Sequence, residues 1–188
     1  MKSPIQWARG QQLLLLSALF LTAYLLLNAT HLPLSIAAYQ QASGGYTILN
    51  LLPVYDADTA YRYLQHLTPQ SLTIYRNILL MDALWLIPAY SLLFSLGIRH
   101  ASQWRNGGQV TRFWQGLSLL PWLAAGLNYV EDAMIYYLMQ EFPQRHLTLA
   151  TLCGGLTTSK TLLLAVSMLS CLGLYLSIGL RQRRGIRH

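Results

Sequence analysis

Three of the chain's six carboxylates lie inside long apolar segments, where hydrocarbon rather than water should surround them. They are Asp82, Glu131 and Asp132. A carboxylate at bilayer depth is costly unless it is paired, protonated or faces a wet cavity. Acidic residues in such segments are therefore candidates for a functional site.

Buried carboxylates that lie together can do several kinds of chemistry. Asp82 and Glu131 could work as a catalytic acid–base pair in a dry cavity. Asp82, Glu131 and Asp132 together could bind a hard or borderline cation. A third alternative is a hydrogen-bonded network that holds helices together without any ligand. The residues leave these alternatives open, and they identify no cofactor.

The spacing of the polar residues indicates that they meet at one level. Asn128, Glu131 and Asp132 stand at positions i, i+3 and i+4, so they share one face of a helix. Adjacent Glu131 and Asp132 point about 100° apart and are expected to serve different neighbours. In the preceding apolar segment, Asp82 is expected about 7 Å outward of the midplane, and the acids of the next segment about 7 to 9 Å outward.

Further polar residues are expected at the rim of this acidic pocket, which we predict to open toward the outside. His31 closes the first apolar segment, whereas Arg76 and Lys160 begin the second and fourth at the outer surface, where Lys160 could snorkel outward or bend toward the acids. The predicted ligand-binding residues are Asp82, Tyr90, Asn128, Glu131, Asp132, His31, Arg76 and Lys160.

The elements that position these residues are predicted to be membrane spans. The chain is 54% hydrophobic and 10% charged, whereas soluble domains carry roughly 25% charged residues. Segments of about 20 apolar residues are long enough to cross the hydrocarbon core. The predicted spans are about Gln11 to Ala29, Asn77 to Ile98, Phe113 to Met139 and Ser159 to Leu180. We expect an all-α fold, a single antiparallel bundle of four transmembrane helices.

The distribution of Lys and Arg predicts the orientation. Cytoplasmic ends of membrane helices are enriched in basic residues, and here this places both termini in the cytoplasm. Nine basic residues then lie inside: Lys2, Arg9, Arg99, Arg105, Arg112, Arg181, Arg183, Arg184 and Arg187. Only four lie outside, namely Arg62, Arg76, Arg145 and Lys160. The pattern argues against nucleic-acid binding and favours a bilayer with anionic lipid.

The long outer loop between the first two spans is expected to be partly helical. Residues Asp58 to Leu67 are typical of a short amphipathic helix, and Thr68 followed by Pro69 is a helix-start signal. The tyrosines of this region favour an interfacial aromatic belt; they are Tyr39, Tyr46, Tyr55, Tyr61, Tyr63 and Tyr75. Gly154 and Gly155 indicate a loop before the fourth span, with Thr157 to Ser159 as its helix cap.

These observations predict a multi-pass inner-membrane protein without catalytic activity. Its polar pocket would bind a small ligand, lipid or cation, or the chain would be an accessory subunit of a membrane complex. Small residues on the fourth span favour a contact with a partner helix, and they are Ser167, Ser170, Cys171 and Gly173. The alternative is a membrane-embedded isomerase or hydrolase that uses Asp82 and Glu131 as its acid–base pair.

The stretch from Ala60 to Tyr137 resembles an uncharacterised bacterial family of small four-helix membrane proteins. One span of that family has the form D-x5-P-x-Y, matched here by Asp82, Pro88 and Tyr90, and the next carries a D-x-x-E-N-like box. In this box the chain has Asn128 where the family has an acid, and Asp132 where it has Asn. The resemblance implies a bacterial inner membrane and no known activity. The helix count with intramembrane acids is also similar in architecture to the sterol isomerase and sigma-2 receptor superfamily, which binds amphiphiles between its helices.

Overall fold

The computed structural model describes residues 4–185 and the side chains of residues 10–182, and within this part the chain is helical and contains no strand. Lys2 and Arg187 of the basic-residue count lie outside the described residues, as do the side chains of Arg9, Arg183 and Arg184. The helices are α1 (Pro4–Asn28), α2 (Ile36–Ala42), α3 (Ala57–Leu64), α4 (Pro69–Met81), α5 (Ile87–Arg105), α6 (Arg112–Leu117), α7 (Leu120–Glu141) and α8 (Leu147–Gly185). A 3₁₀ turn spans Leu49–Leu51, and a π-helical turn, Asp82–Leu86, joins α4 to α5.

Three helical segments are long and apolar enough to cross a membrane, which fits an integral membrane protein. They are Gly10–Asn28, Pro69–Arg105 and Leu147–Gln182. Large apolar side chains along them face outward, for example Leu15, Leu84 and Leu169. Helix α7 is not among these segments, because its middle carries Asn128, Glu131 and Asp132.

One predicted span is longer in the structure than the sequence pattern predicts, and another is divided into two helices. Helix α8 begins at Leu147, well before Ser159, and its 39 residues correspond to about 58 Å, about twice the thickness of the hydrocarbon core. Gly154 and Gly155 therefore lie inside α8, and the predicted loop there is wrong. The third predicted span is divided into α6 and α7 near Ser118, shortly before Pro121.

Residues 30–68, here named the cap, pack against one end of the long helices. The cap contains α2, the 3₁₀ turn and α3. The predicted amphipathic helix is confirmed by α3, and the predicted helix start at Thr68 and Pro69 is confirmed by the start of α4. Four tyrosines predicted for an interfacial belt are instead buried, namely Tyr39, Tyr55, Tyr61 and Tyr75. They form a hydrophobic core with residues of α4, α7 and α8, so the cap is held by burial of apolar area.

Beneath the cap, α7 packs along α8, and α5 contacts α1, α7 and α8. Asp82 and Lys160 both stand thirteen positions after the start of their helical segments, Pro69 and Leu147. That separation places each about 20 Å from the capped end. The long helices thus bring an acid and a base to one level.

Candidate functional site

The site begins with an interruption of the helix that carries Asp82. The amide of Ile87 donates to the carbonyl of Asp82, five residues back, which makes the turn π-helical. Pro88 follows and has no amide hydrogen, so the carbonyl of Ala83 lacks a donor from its own helix. The hydroxyl of Tyr129 on α7 donates to this carbonyl at 2.8 Å. The interruption thus ties α7 to the turn that presents Asp82, and such π-helical turns are frequent at functional sites.

Asn128 joins the acid of this turn to the rest of the site. Its Nδ2 donates to Oδ2 of Asp82 at 3.0 Å, and its Oδ1 accepts a hydrogen bond from the ammonium group of Lys160. Tyr90, buried on α5, lies beside both Asp82 and Asn128. The predicted meeting of the two apolar segments at one level is confirmed by this bond between Asp82 and Asn128.

Glu131 forms the best-paired part of the site. Its side chain is fully buried, and its Oε2 forms a salt bridge with Lys160, whose side chain is 13% exposed. The hydroxyl of Thr157 donates to Oε1 at 2.6 Å. The ammonium group thus supplies one positive charge against three carboxyl groups. Lys160 lies at the level of the acids rather than in the first turn of its helix, because α8 begins at Leu147.

Asp132 turns toward the cap instead. Its Oδ1 accepts a hydrogen bond of 2.6 Å from Nδ2 of Asn50, which follows the start of the 3₁₀ turn. Tyr75 donates to Oδ1 of Asn50 at 2.8 Å and accepts from the amide of Leu49 at 2.9 Å. The prediction that Glu131 and Asp132 serve different neighbours is therefore confirmed, and Asp132 connects α7 to the cap.

Three buried carboxyl oxygens of the site have no hydrogen-bond partner within the described part of the chain, and one of them, Oε2 of Glu131, is paired with Lys160 in the salt bridge. The other two are Oδ1 of Asp82 and Oδ2 of Asp132. The two carboxyl groups come within hydrogen-bonding reach of each other. Two ionised carboxylates in contact repel one another, so this arrangement needs either a shared proton or a bound positive charge.

The cap closes over the site through a close contact with α8. A Cβ atom at Gly154 would lie 2.1 Å from the carbonyl oxygen of Tyr55, so only glycine fits there. The next turn of α8 adds a hydrogen bond of 2.9 Å from the Thr158 hydroxyl to the carbonyl of Pro53. Burial raises the pKa of Tyr55 well above its ordinary value, so its phenol stays neutral beside Cys153.

Two predicted rim residues lie apart from the acids. Arg76 stacks over the ring of Tyr136 with its Cζ 5.9 Å from the ring centroid. His31 is exposed and lines a separate cavity between α2 and α4 together with Gln41 and Gln70. Among the described residues, no hydrogen bond or salt bridge joins either side chain to the acids.

The metal alternative names Asp82, Glu131 and Asp132. Across residues 4–185, no group of three His, Cys, Asp or Glu side chains converges as a set of metal ligands. Both carboxyl oxygens of Glu131 are already engaged, one by Thr157 and the other by Lys160. Among the described residues, the carboxyl oxygens of the site that have neither a hydrogen bond nor a salt bridge belong to Asp82 and Asp132.

The small residues of the predicted partner surface do not share one environment. Ser167 is fully buried, and its hydroxyl donates to the carbonyl of Leu163. Cys171 lies against Gly97 of α5, where an added Cβ would come within 2.9 Å of the sulfur. Ser170 is half-buried, and Gly173 is exposed with open space around it.

Three residues of the site were not predicted, namely Asn50, Tyr75 and Thr157. Cys153, Thr157 and Lys160 are spaced i, i+4 and i+7, so a helix without interruption through Gly154 and Gly155 would have placed Thr157 and Lys160 on one face. No local pattern marks Asn50, which is 82 positions from Asp132 in the chain.

No protein-family model matches the chain, and no curated protein or solved structure matches it. The geometry of the site is therefore the basis for assigning a function.

Proposed function

We propose that the chain is an integral membrane protein whose buried acidic site binds a small cation, either a monovalent metal ion or the ammonium group of an organic ligand. The observation that carries this proposal is the pair of buried carboxyl groups of Asp82 and Asp132, which lie within reach of each other and whose free oxygens have no other partner among the described residues. Buried polar atoms in native proteins are nearly always paired, and a cation held between these two oxygens would pair both of them without a shared proton.

The charge of the site supports a cationic ligand. Glu131 is neutralised by Lys160, and no second cation of the described chain forms a salt bridge with Asp82 or Asp132. A positive ligand would therefore offset the repulsion between the two remaining carboxylates. The amide groups of Asn50 and Asn128 already hold the other oxygen of each acid, so both carboxylates are fixed in orientation.

The proposed membrane arrangement is an antiparallel four-helix bundle. In it α1, the α4–α5 segment, α7 and α8 cross the bilayer, and the cap lies on the outer side. The excess of Arg and Lys at the opposite end supports cytoplasmic termini. The placement in a bacterial inner membrane depends on the resemblance described above.

An enzymatic alternative, an isomerase or hydrolase, would require two carboxyl groups with free oxygens. Asp82 and Asp132 have them, whereas Glu131 shares both of its oxygens with Thr157 and Lys160. An acid–base pair in this chain would therefore favour Asp82 with Asp132 over Asp82 with Glu131.

Thermal unfolding in mild detergent tests the cation site, with Na⁺, K⁺, Mg²⁺, Ca²⁺ and ethanolamine as probes at constant ionic strength. A ligand that binds only the folded state stabilises it by about 2.7 kcal/mol at 100 times its Kd. We expect one monovalent probe to raise the Tm saturably, and Asp82→Asn and Asp132→Asn to abolish the rise. The matched control is Asp58→Asn, because Asp58 is a carboxylate of the exposed cap surface.

Several outcomes would contradict the proposal. If no probe shifts the Tm and Asp132→Asn stabilises the protein near neutral pH, the two acids share a proton and the network only holds helices together. Native mass spectrometry of the same samples tests the remaining alternative, in which the chain is an accessory subunit. A second polypeptide that is lost on detergent exchange would support that alternative.

A further inference from the structure

A second cavity lies at the end of the helices remote from the acids. It has a volume of about 600 Å³ and lies between α1, α5 and α8. Its walls include Leu13, Ser17, Phe94, Gly97, Cys171 and Tyr175. Gly97 follows Asp82 by fifteen positions, or about 22 Å along a helix. The cavity is therefore separate from the proposed cation site.

The cavity has an apolar part and a polar part. Leu93 and Phe94 line the part nearer the middle of α5, whereas His100 and Gln103 line the end near the loop after α5. Its volume falls in the range of about 300 to 1,000 Å³ found for pockets that hold small molecules. A molecule that fits has a hydrocarbon part and a polar end.

An adjoining cavity of about 220 Å³ has a positively charged residue in its wall. It shares Leu13, His100 and Gln103 with the larger cavity, and Arg99 forms part of its wall. No carboxylate pairs with Arg99 among the described residues. None of the chain's six acids lines either cavity; they are Asp56, Asp58, Asp82, Glu131, Asp132 and Glu141.

We propose that these two cavities form a binding site for an anionic amphiphile, with its hydrocarbon chain between α1, α5 and α8 and its phosphate or carboxylate head group against Arg99. The apolar walls select the hydrocarbon chain of the ligand, and the positive charge of Arg99, which no carboxylate pairs among the described residues, selects a negative head group. The two sources of this chemistry are a membrane phospholipid and a free fatty acid.

Native mass spectrometry of the full chain in detergent tests the site with three probes: phosphatidylglycerol, phosphatidylcholine with the same acyl chains, and palmitate. We expect phosphatidylglycerol to be retained about fivefold better than phosphatidylcholine, the effect of a single basic residue near an anionic membrane surface. Retention of palmitate without phosphatidylglycerol would assign the site to a fatty acid instead of a phospholipid. Equal retention of the three probes would overturn the proposal.

Two substitutions with matched controls locate the binding. Arg99→Gln should abolish the preference for phosphatidylglycerol, while Arg112→Gln, at an exposed arginine of the same end, should leave it unchanged. Ser17→Trp should fill the larger cavity and reduce retention of every probe, while Leu15→Trp on the outer face of α1 should not reduce it. If each control has the effect of its partner substitution, the lipids bind the surface and no cavity site exists.

Discussion

Replacing Lys160 by methionine should destabilise the protein strongly, because it leaves Glu131 as a buried carboxylate without its cation. The Glu131 side chain is fully buried and that of Lys160 is 13% exposed, so little solvent screens the pair. Removing one partner of a buried salt bridge typically costs about 3 to 5 kcal/mol. In Lys160→Met the hydroxyl of Thr157 still donates to Glu131, but a neutral hydroxyl does not replace the charge.

The size of the effect follows from the length of the chain. For proteins of 150 to 250 residues, each kcal/mol changes the Tm by roughly 2 to 4 °C, so Lys160→Met should lower it by about 6 to 20 °C. Glu131→Gln should cost less, because Lys160 keeps Asn128 as a partner. The double variant should recover most of the stability, since neither unpaired charge is left in the interior.

Circular dichroism of thermal unfolding in mild detergent measures all four proteins of this cycle. Arg62→Met is the control, because it removes a cation from the exposed surface of α3 and should change the Tm little. Additive losses in the double variant would refute the reasoning, since they would show that Lys160 and Glu131 stabilise the fold independently.

Two further predictions concern the cap. Gly154→Ala should loosen the cap, because its Cβ would meet the carbonyl of Tyr55 at 2.1 Å, whereas Gly155→Ala has open space and should be neutral or stabilising; limited proteolysis of the cap compares the two, and equal cleavage would contradict the close contact. Acidification should weaken the start of α3, because hydrogen bonds from Thr59 hold the pKa of Asp56 below its ordinary value of 3.8. That contribution is complete above the ordinary pKa and disappears as the pH falls through the lowered one. Hydrogen exchange of the Thr59 amide, corrected for its intrinsic pH dependence, checks this, and Asp56→Asn should remove the pH dependence.

The sequence alone determined the helical class, the presence of the first, second and fourth apolar segments and the face shared by Asn128, Glu131 and Asp132. These features are local, because the 3.6-residue period of a helix and the length of an apolar run depend only on neighbouring residues. For the same reason, the sequence predicts that Asp82 lies at one level with Asn128, Glu131 and Asp132. In the structure, Asp82 and Asn128 are joined by a hydrogen bond.

Only the tertiary structure decided which partners the acids have. Gly154 and Gly155 read as a loop because glycine disfavours helices, yet Gly154 lies within α8, where the carbonyl of Tyr55 leaves no room for a side chain. This extension of α8 sets the depth of Lys160 and hence its pairing with Glu131. Contacts between distant segments depend on how helices pack against each other, and no local period in the chain encodes that packing.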